Sequence, residues 1–584
     1  MLVKLQKKIN CSKRMLPAII TYLSDNDLLI PRGVAAALPC EQSCRDNSAD
    51  EVIGYIPPQG LVISRPGNYS LANDIKWEGK SGSVAIWITS SDVTLDGKGF
   101  AIYGDCKCVK DNFGIAVSVK NRKHHCDPCE VLENVTIKNI RLSNIGVYAI
   151  IVEDATSICL EKLTLTNNGG VSSIINSVLS SLLGDLSHTS GSIYVKDSRQ
   201  VSIKKVNIAD NLTPEVSAPI FLSNVVQYRV EDVNIDDCRS RDSADFGILS
   251  HGCTEQTVRD VNINGIGSFE NTLTGGIVVY TELDTVSISK VNVTNSKSRA
   301  VLFGVVNLPS LTKGVVVDNS KTISFSEINV VGCSVDKKAL LFVGVGCHGN
   351  GSISHCKVTD NSMTANANTV VNTTLMGIAL IDAGRVVVED NLATRNSSDG
   401  DYLVGLGRLN FLGVTTIPNV NFGAVFRRNV SSYNTGTGLV VAGFGLPQVL
   451  KGTVVSARAD VYSDNIAANN LITGAGYSVG FLLSEQLTTT YERNIAKANQ
   501  YGFRNLGTIL PSNNIVKYNQ ADNNSVAGFS DPVFGSNNVY MSNRSELNTL
   551  NYAGAYLLTM PIVVWSLAGV APPLDNLQNL SVTV

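Results

Sequence analysis

Charge is scarce in this chain. Asp, Glu, Lys and Arg make up 17% of its 584 residues, where an ordinary globular protein carries about a quarter. The net charge is −3 and the isoelectric point about 6.1. Nucleic acid is bound by a basic face, and here Lys204-Lys205 and Arg427-Arg428 are isolated pairs. No nucleic-acid partner is therefore expected. No long amphipathic helix stands out, which excludes a helical bundle. A phosphate-cradling glycine loop and a Ser/His/Asp signature are both missing, and with them the chemistries they serve.

The middle third instead repeats a short strand phrase. It reads Val206-Asn207-Ile208, Val233-Asn234-Ile235, Val261-Asn262-Ile263, Val291-Asn292-Val293, Ile328-Asn329-Val330 and Cys356-Lys357-Val358, with starts 27, 28, 30, 37 and 28 residues apart. Copies at Val135-Thr136-Ile137 and Leu163-Thr164-Leu165, again 28 apart, extend the series toward the N-terminus. A period of this size, made of strands, specifies a solenoid. Each phrase ends at a polar corner such as Asp210-Asn211, Asp236-Asp237, Asn264-Gly265 or Asp360-Asn361. These residue types tolerate a left-handed backbone. A second apolar run follows, as in Phe246-Gly247-Ile248-Leu249 or Leu340-Leu341-Phe342-Val343. One period is thus one coil of a parallel β-helix, each strand bonding to the coils above and below. Such a fold grows in one dimension, so the chain length demands no division into separate cores. Later coils repeat Asn391-Leu392-Ala393-Thr394-Arg395-Asn396, Asn429-Val430-Ser431-Ser432-Tyr433-Asn434 and Asn465-Ile466-Ala467-Ala468-Asn469-Asn470. Asparagine at one corner in coil after coil is expected to stack its amides into a ladder.

Residues 1–65 do not share the repeat and are expected to form an N-terminal cap or leader. The basic stretch Met1 to Arg14 and the apolar run Met15 to Leu23 have the first two regions of a signal peptide. The other reading is a helix that covers the exposed strand edges of the first coil. From Pro66 the sequence reads Pro66-Gly67-Asn68-Tyr69-Ser70-Leu71, Asn73-Asp74-Ile75, Ala85-Ile86-Trp87-Ile88 and Val93-Thr94-Leu95-Asp96-Gly97-Lys98-Gly99. This resembles the opening coil of the right-handed parallel β-helix repeat proteins, the pectate-lyase-like superfamily. The resemblance implies an all-β fold, a right-handed parallel β-helix solenoid over 66–556 with a short C-terminal cap or contact segment at 557–584. It does not fix an activity, because that superfamily includes lyases, hydrolases, epimerases, viral spike proteins and non-catalytic surface proteins. The stretch between Glu546 and Asp575 carries no charge and is long enough to span a membrane, but Pro561 interrupts its apolar run, Tyr556 to Val570, and no Lys or Arg flanks it. No membrane span is expected; a final coil with its cap, or the contact of a homo-oligomer such as a trimer, fits the run better.

Two clusters offer chemistry. Cys106, Cys108, Cys126 and Cys129, with His124 and His125 beside them, have a zinc-like spacing. A structural zinc, disulfides and unpaired thiols all remain open for them, because the strand-like stretch Phe113 to Val119 separates the two pairs. Cys159, Cys238, Cys333 and Cys356 fall at strand or corner positions, where a small buried thiol serves as core. The densest acidic cluster is Asp236, Asp237, Asp242 and Asp245 with His251. Two carboxylates a few ångströms apart can divide acid and base roles in polysaccharide cleavage. Asp236-Asp237-Cys238 and His251-Gly252 resemble elements of the polygalacturonase-like hydrolases, but no Asn-Thr-Asp element precedes them and no Arg-Ile-Lys follows. Asp236-Asp237 is also this coil's form of the corner read elsewhere as Asp210-Asn211.

The missing catalytic set and the irregular coil lengths favour a non-catalytic structural or surface protein, a virion or cell-surface component whose loops meet protein partners or glycans. The alternative is a polysaccharide-degrading enzyme, a glycoside hydrolase or lyase, built on the Asp236 to His251 region. The long loops Gly169 to Ser190 and Thr364 to Thr374 are further contact candidates.

Overall fold

The computed structural model describes residues 49–80, 82–104, 112–118, 131–170, 189–213, 216–241, 244–268, 270, 273–281, 285–309, 322–336, 338–365, 372–381, 383–409, 423–447, 457–484, 486–506, 512–532, 536–553 and 558–559. Among them the regular elements are strands, and they pair in parallel. They fall into two units, Met1–Lys297 with Pro309–Val317, and Ser298–Leu308 with Asp318–Val584. Each unit is a right-handed parallel β-helix, the hand that parallel crossovers favour.

In the first unit one ladder stacks the long strands Leu132–Ser143, Ala155–Thr166, Arg199–Ala209, Gln227–Asp236, Glu255–Asn264 and Val286–Thr294. The repeated phrases lie in register: Val206, Val233, Val261 and Val291 form one column, and Ile208, Ile235, Ile263 and Val293 another. All eight side chains are buried, and each contributes about 1.5–3 kcal/mol relative to exposure. The asparagine between them points outward. A left-handed residue interrupts all six strands at the same level, namely Asn139, Lys162, Lys205, Asp232, Asp260 and Lys290, so every long strand bends there; Asn134, Ser157 and Gln200 add a second left-handed position to the first three. A second ladder stacks Phe113–Val117, Tyr148–Glu153, Ile193–Lys196, Ile220–Ser223, Ala244–His251 and Leu273–Thr281.

In the second unit two asparagine columns run inside the corners. One links Asn391, Asn429, Asn465, Asn494, Asn519 and Asn543, each backbone N–H of the first five donating to the next coil's Oδ1 at 2.9–3.0 Å. The other links Asn361, Asn396, Asn434, Asn470, Asn499, Asn524 and Asn548 in the same manner. Cys333 and Cys356 occupy ladder positions, donating their backbone N–H groups to Asn361 and Asn391. Between the corners Phe444, Phe481, Phe503, Phe529 and Tyr552 stack with centroids 4.7–5.2 Å apart. Gly443, Gly480 and Gly502 face Ala467, Ala496 and Ala521 so closely that an added Cβ would stand 2.7–3.0 Å from the alanine methyl. The alternation of phenylalanine with glycine thus follows from two sheets that approach each other at that level.

Three sequence expectations change. Val135-Thr136-Ile137 is not a copy of Leu163-Thr164-Leu165: it pairs with Ile158-Cys159-Leu160, whereas Leu163 pairs with Ile140. Each long strand carries an apolar alternation on both sides of its bend, so the spacing of 28 joined different halves of two coils. Cys159 is half-buried rather than part of the core, because it stacks between the outward-facing Thr136 and Ser202. Parallel pairing is present ahead of Pro66, where Ala49–Ile53 pairs with Gly67–Leu71 and Leu61–Ile63 with Val84–Ile88. Cys106, Cys108, Cys126, Cys129, Asp242, most of the two long loops, the leader, and the C-terminal segment apart from Leu558 and Thr559 lie outside the described residues. Among the described residues no helix is long and apolar enough to cross a membrane, and no group of His, Cys, Asp and Glu is placed to hold a metal ion.

Candidate functional site

The acidic cluster is dispersed by the coil that carries it. Asp236 ends its strand on the outer corner, where Asn264 Nδ2 donates to it at 3.4 Å. Asp237 adopts a left-handed backbone and accepts a bond of 2.9 Å from Arg239 Nη2, both side chains being half exposed. Asp245 is wholly buried and accepts the Ser240 N–H. Burial pushes its carboxyl well above the ordinary value, against the pull of the Ser240 bonds and of Arg239. His251 closes the same strand, Ala244–His251, and is also buried. Six residues of extended chain put it about 20 Å from Asp245, far beyond hydrogen-bond reach. Asp236 and Asp237 therefore share a solvated corner, while Asp245 and His251 stand at opposite ends of a buried strand.

Asp245 gives a pH test. Its folded carboxyl keeps a proton that the unfolded chain releases near the usual pKa, so the wild-type protein loses stability as pH rises above that point. Asp245→Asn keeps the acceptor for Ser240 and removes the ionisation. The variant is expected to melt higher than the wild type at pH 7, with the gap closing toward pH 4; thermal melts across that range check it.

The outer face of the first unit is organised in rows that cross the coils. Asp96, Lys138, Glu161, Lys204, Glu231 and Arg259 stand in register with alternating charge. Lys204 and Arg259 each reach Glu231 at 3.5 Å. Beside this row run Arg141, Thr164, Asn207, Asn234, Asn262 and Asn292. Their amides form a partly exposed ladder: Asn292 Nδ2 donates to Asn262 at 2.7 Å, Asn262 to Asn234 at 2.9 Å and Asn234 to Asn207 at 2.9 Å.

At the N-terminal end of these rows lies an open groove of about 520 Å³, lined by Lys98, Gly99, Asn139, Ile140, Arg141, Lys162 and Thr164. Lys98, Asn139 and Lys162 are left-handed residues, and that bend aims their side chains away from the core. Arg141 is fixed by Nε to the Gly99 carbonyl at 3.0 Å and by Nη2 to Asp74 at 3.1 Å. Lys98 Nζ lies 3.3 Å from Asp96, and Lys162 Nζ 3.9 Å from Glu161. The three cationic side chains remain more than half exposed. Burial works to raise the Asp96 carboxyl, but the Lys98 N–H, the Asn139 amide and the Lys98 ammonium outweigh it and hold it below its ordinary value. Asp96 thus stays ionised and anchors the groove wall. The lining offers ammonium, guanidinium, amide and hydroxyl donors, a set suited to holding a polar ligand.

Sequence reasoning missed this groove. Its residues come from three coils, 43 and 23 residues apart at Lys98, Arg141 and Thr164, and a lysine at a bend carries no motif. The one usable signal was the outward asparagine of the repeated phrase, which marks the row that leads to it. Four asparagines in Asn-x-Ser/Thr sequences, the pattern that accepts N-linked glycans, are buried: Asn396, Asn429 and Asn543 in the amide columns and Asn211 in the first unit, so none of these amides can carry a glycan in the folded protein.

No protein-family model and no curated protein matches the chain. Among solved structures the chain is similar, at 10% identity and a TM-score of 0.35, to a double mutant of the tailspike protein of E. coli bacteriophage HK620, with 84% of this chain and 71% of that chain covered. The same tailspike in complex with a pentasaccharide gives 12% identity and a TM-score of 0.33, with 85% and 74% covered.

Proposed function

We propose that this is a non-catalytic structural β-helix protein, a component of a virus particle or a cell surface, that binds a glycan on the outer face of its first unit. The observation that carries the reading is the groove at Lys98, Arg141 and Lys162, which gathers donors from three coils without a pair of carboxylates among them. The dispersal of Asp236, Asp237, Asp245 and His251 supports the same choice, since glycoside hydrolysis places its two carboxyl groups about 5–9.5 Å apart on one substrate. The stacked, parallel-paired coils of the first unit provide a stiff support for such a face.

The test is a panel of oligosaccharides titrated into the full chain, with reducing ends assayed in the same samples. Binding without release of reducing ends is expected. Release of new reducing ends, abolished by Asp237→Asn or His251→Ala, would establish the polysaccharide-degrading alternative instead.

A further inference from the structure

We infer that the groove selects anionic glycans, chains carrying carboxylates or sulfate esters. This rests on the glycan-binding reading and narrows it. Three features point to the sign of the ligand. The lining contains Lys98, Arg141 and Lys162 and no acidic residue. The carboxylates that pair with them, Asp96, Asp74 and Glu161, stand outside the lining and hold the cations in place. The third feature is the external amide ladder. Asn234, Asn262 and Asn292 each donate toward the preceding coil, so the amide dipoles of the row are aligned. The row's donor end is Asn207, in register with Thr164 of the groove. An aligned row of dipoles presents partial positive charge at its donor end, by the same physics that makes a helix N-terminus attract anions.

The groups are spaced by the fold. Arg141 and Thr164 are one coil apart, as are Thr164 and Asn207, and successive coils rise by about 4.8 Å. A polysaccharide lying across the coils meets a cation or donor at each step. The charges are exposed and screened, so each contributes a few-fold in affinity, and binding weakens with salt.

The experiment titrates the full chain with a heparin-derived hexasaccharide, hexagalacturonate, cellohexaose and a six-nucleotide RNA at 0.15 M and 0.5 M NaCl. Both acidic sugars are expected to bind, the relative affinity of the first two separating sulfate from carboxylate recognition. Lys98→Ala with Lys162→Ala is expected to weaken them about tenfold. Asn207→Asp places a like charge at the donor end and is expected to weaken them about threefold to fivefold. Ser287→Asp, in the coil of Asn292 but outside the amide row, lies three coils further, about 14 Å or more away and beyond the screening length of about 8 Å, and is expected to leave affinity unchanged. Thermal melts show that each variant is folded. Cellohexaose binding as tightly as the acidic sugars, RNA binding more tightly than they do, or equal effects of Asn207→Asp and Ser287→Asp would overturn the charge selectivity while leaving any glycan binding intact. Binding of no sugar at all would remove both readings.

Discussion

Asn465→Ala is expected to destabilise the second unit by about 3–6 kcal/mol, at the upper end of what single substitutions do. The Asn429 backbone N–H and its Nδ2 both donate to Asn465 Oδ1 at 3.0 Å. Asn465 Nδ2 donates to the Phe426 carbonyl at 2.8 Å and to Asn494 Oδ1 at 2.9 Å. All these groups are buried in the corner column. Alanine therefore strands two donors and removes a partner from two acceptors, and each stranded buried donor costs about 1–3 kcal/mol. A surface substitution in the next coil, Lys497→Ala, is the comparison and is expected to stay within about 0.5 kcal/mol. Chemical denaturation of the full chain measures both, and hydrogen exchange at the Asn429 amide reports the lost bond directly. Equal costs for the two variants would show that the amide column adds nothing to stability.

The second large effect concerns an ion pair sealed inside the second unit. Arg408 and Asp460 are both fully buried, with Nε and Nη2 of the guanidinium 2.6 and 2.7 Å from the two carboxylate oxygens. Arg408 Nη1 also donates to the Ala383 carbonyl, and Asp460 Oδ1 also accepts the Ala424 N–H. Taking two charges out of water is costly, and mutual attraction with added hydrogen bonds roughly repays it. Removing one partner leaves the other buried and uncompensated. Arg408→Met is accordingly expected to cost about 3–5 kcal/mol, while the double variant Arg408→Met with Asp460→Leu is expected to recover most of that loss. A double variant no better than the single one would mean that packing around Arg408, not its charge, is what the site needs.

The fold was legible because its signal is periodic. Val206, Val233, Val261 and Val291 recur at nearly constant spacing and fall in one buried column. The corner asparagines were legible for the same reason, though one phrase such as Asn391 to Asn396 holds members of two columns rather than one. What the spacing could not supply was phase. Coil lengths vary, both halves of a long strand alternate in the same manner, and so Val135 was matched to the wrong half. The acidic cluster shows the limit of proximity in sequence: Asp236 to His251 spans a corner and an extended strand, and Asp245 and His251 are carried far apart along it. The groove is the converse case, since Lys98, Arg141 and Thr164 are distant in sequence and meet only because the coils stack.

The most direct measurement is a crystal structure of the full chain with an acidic hexasaccharide bound. Expected is an unbroken sugar chain in the groove of the first unit, its anionic groups on Lys98, Arg141 and Lys162. A sugar found instead against the coil of Asp236 to His251, or cleaved there, would refute the non-catalytic reading.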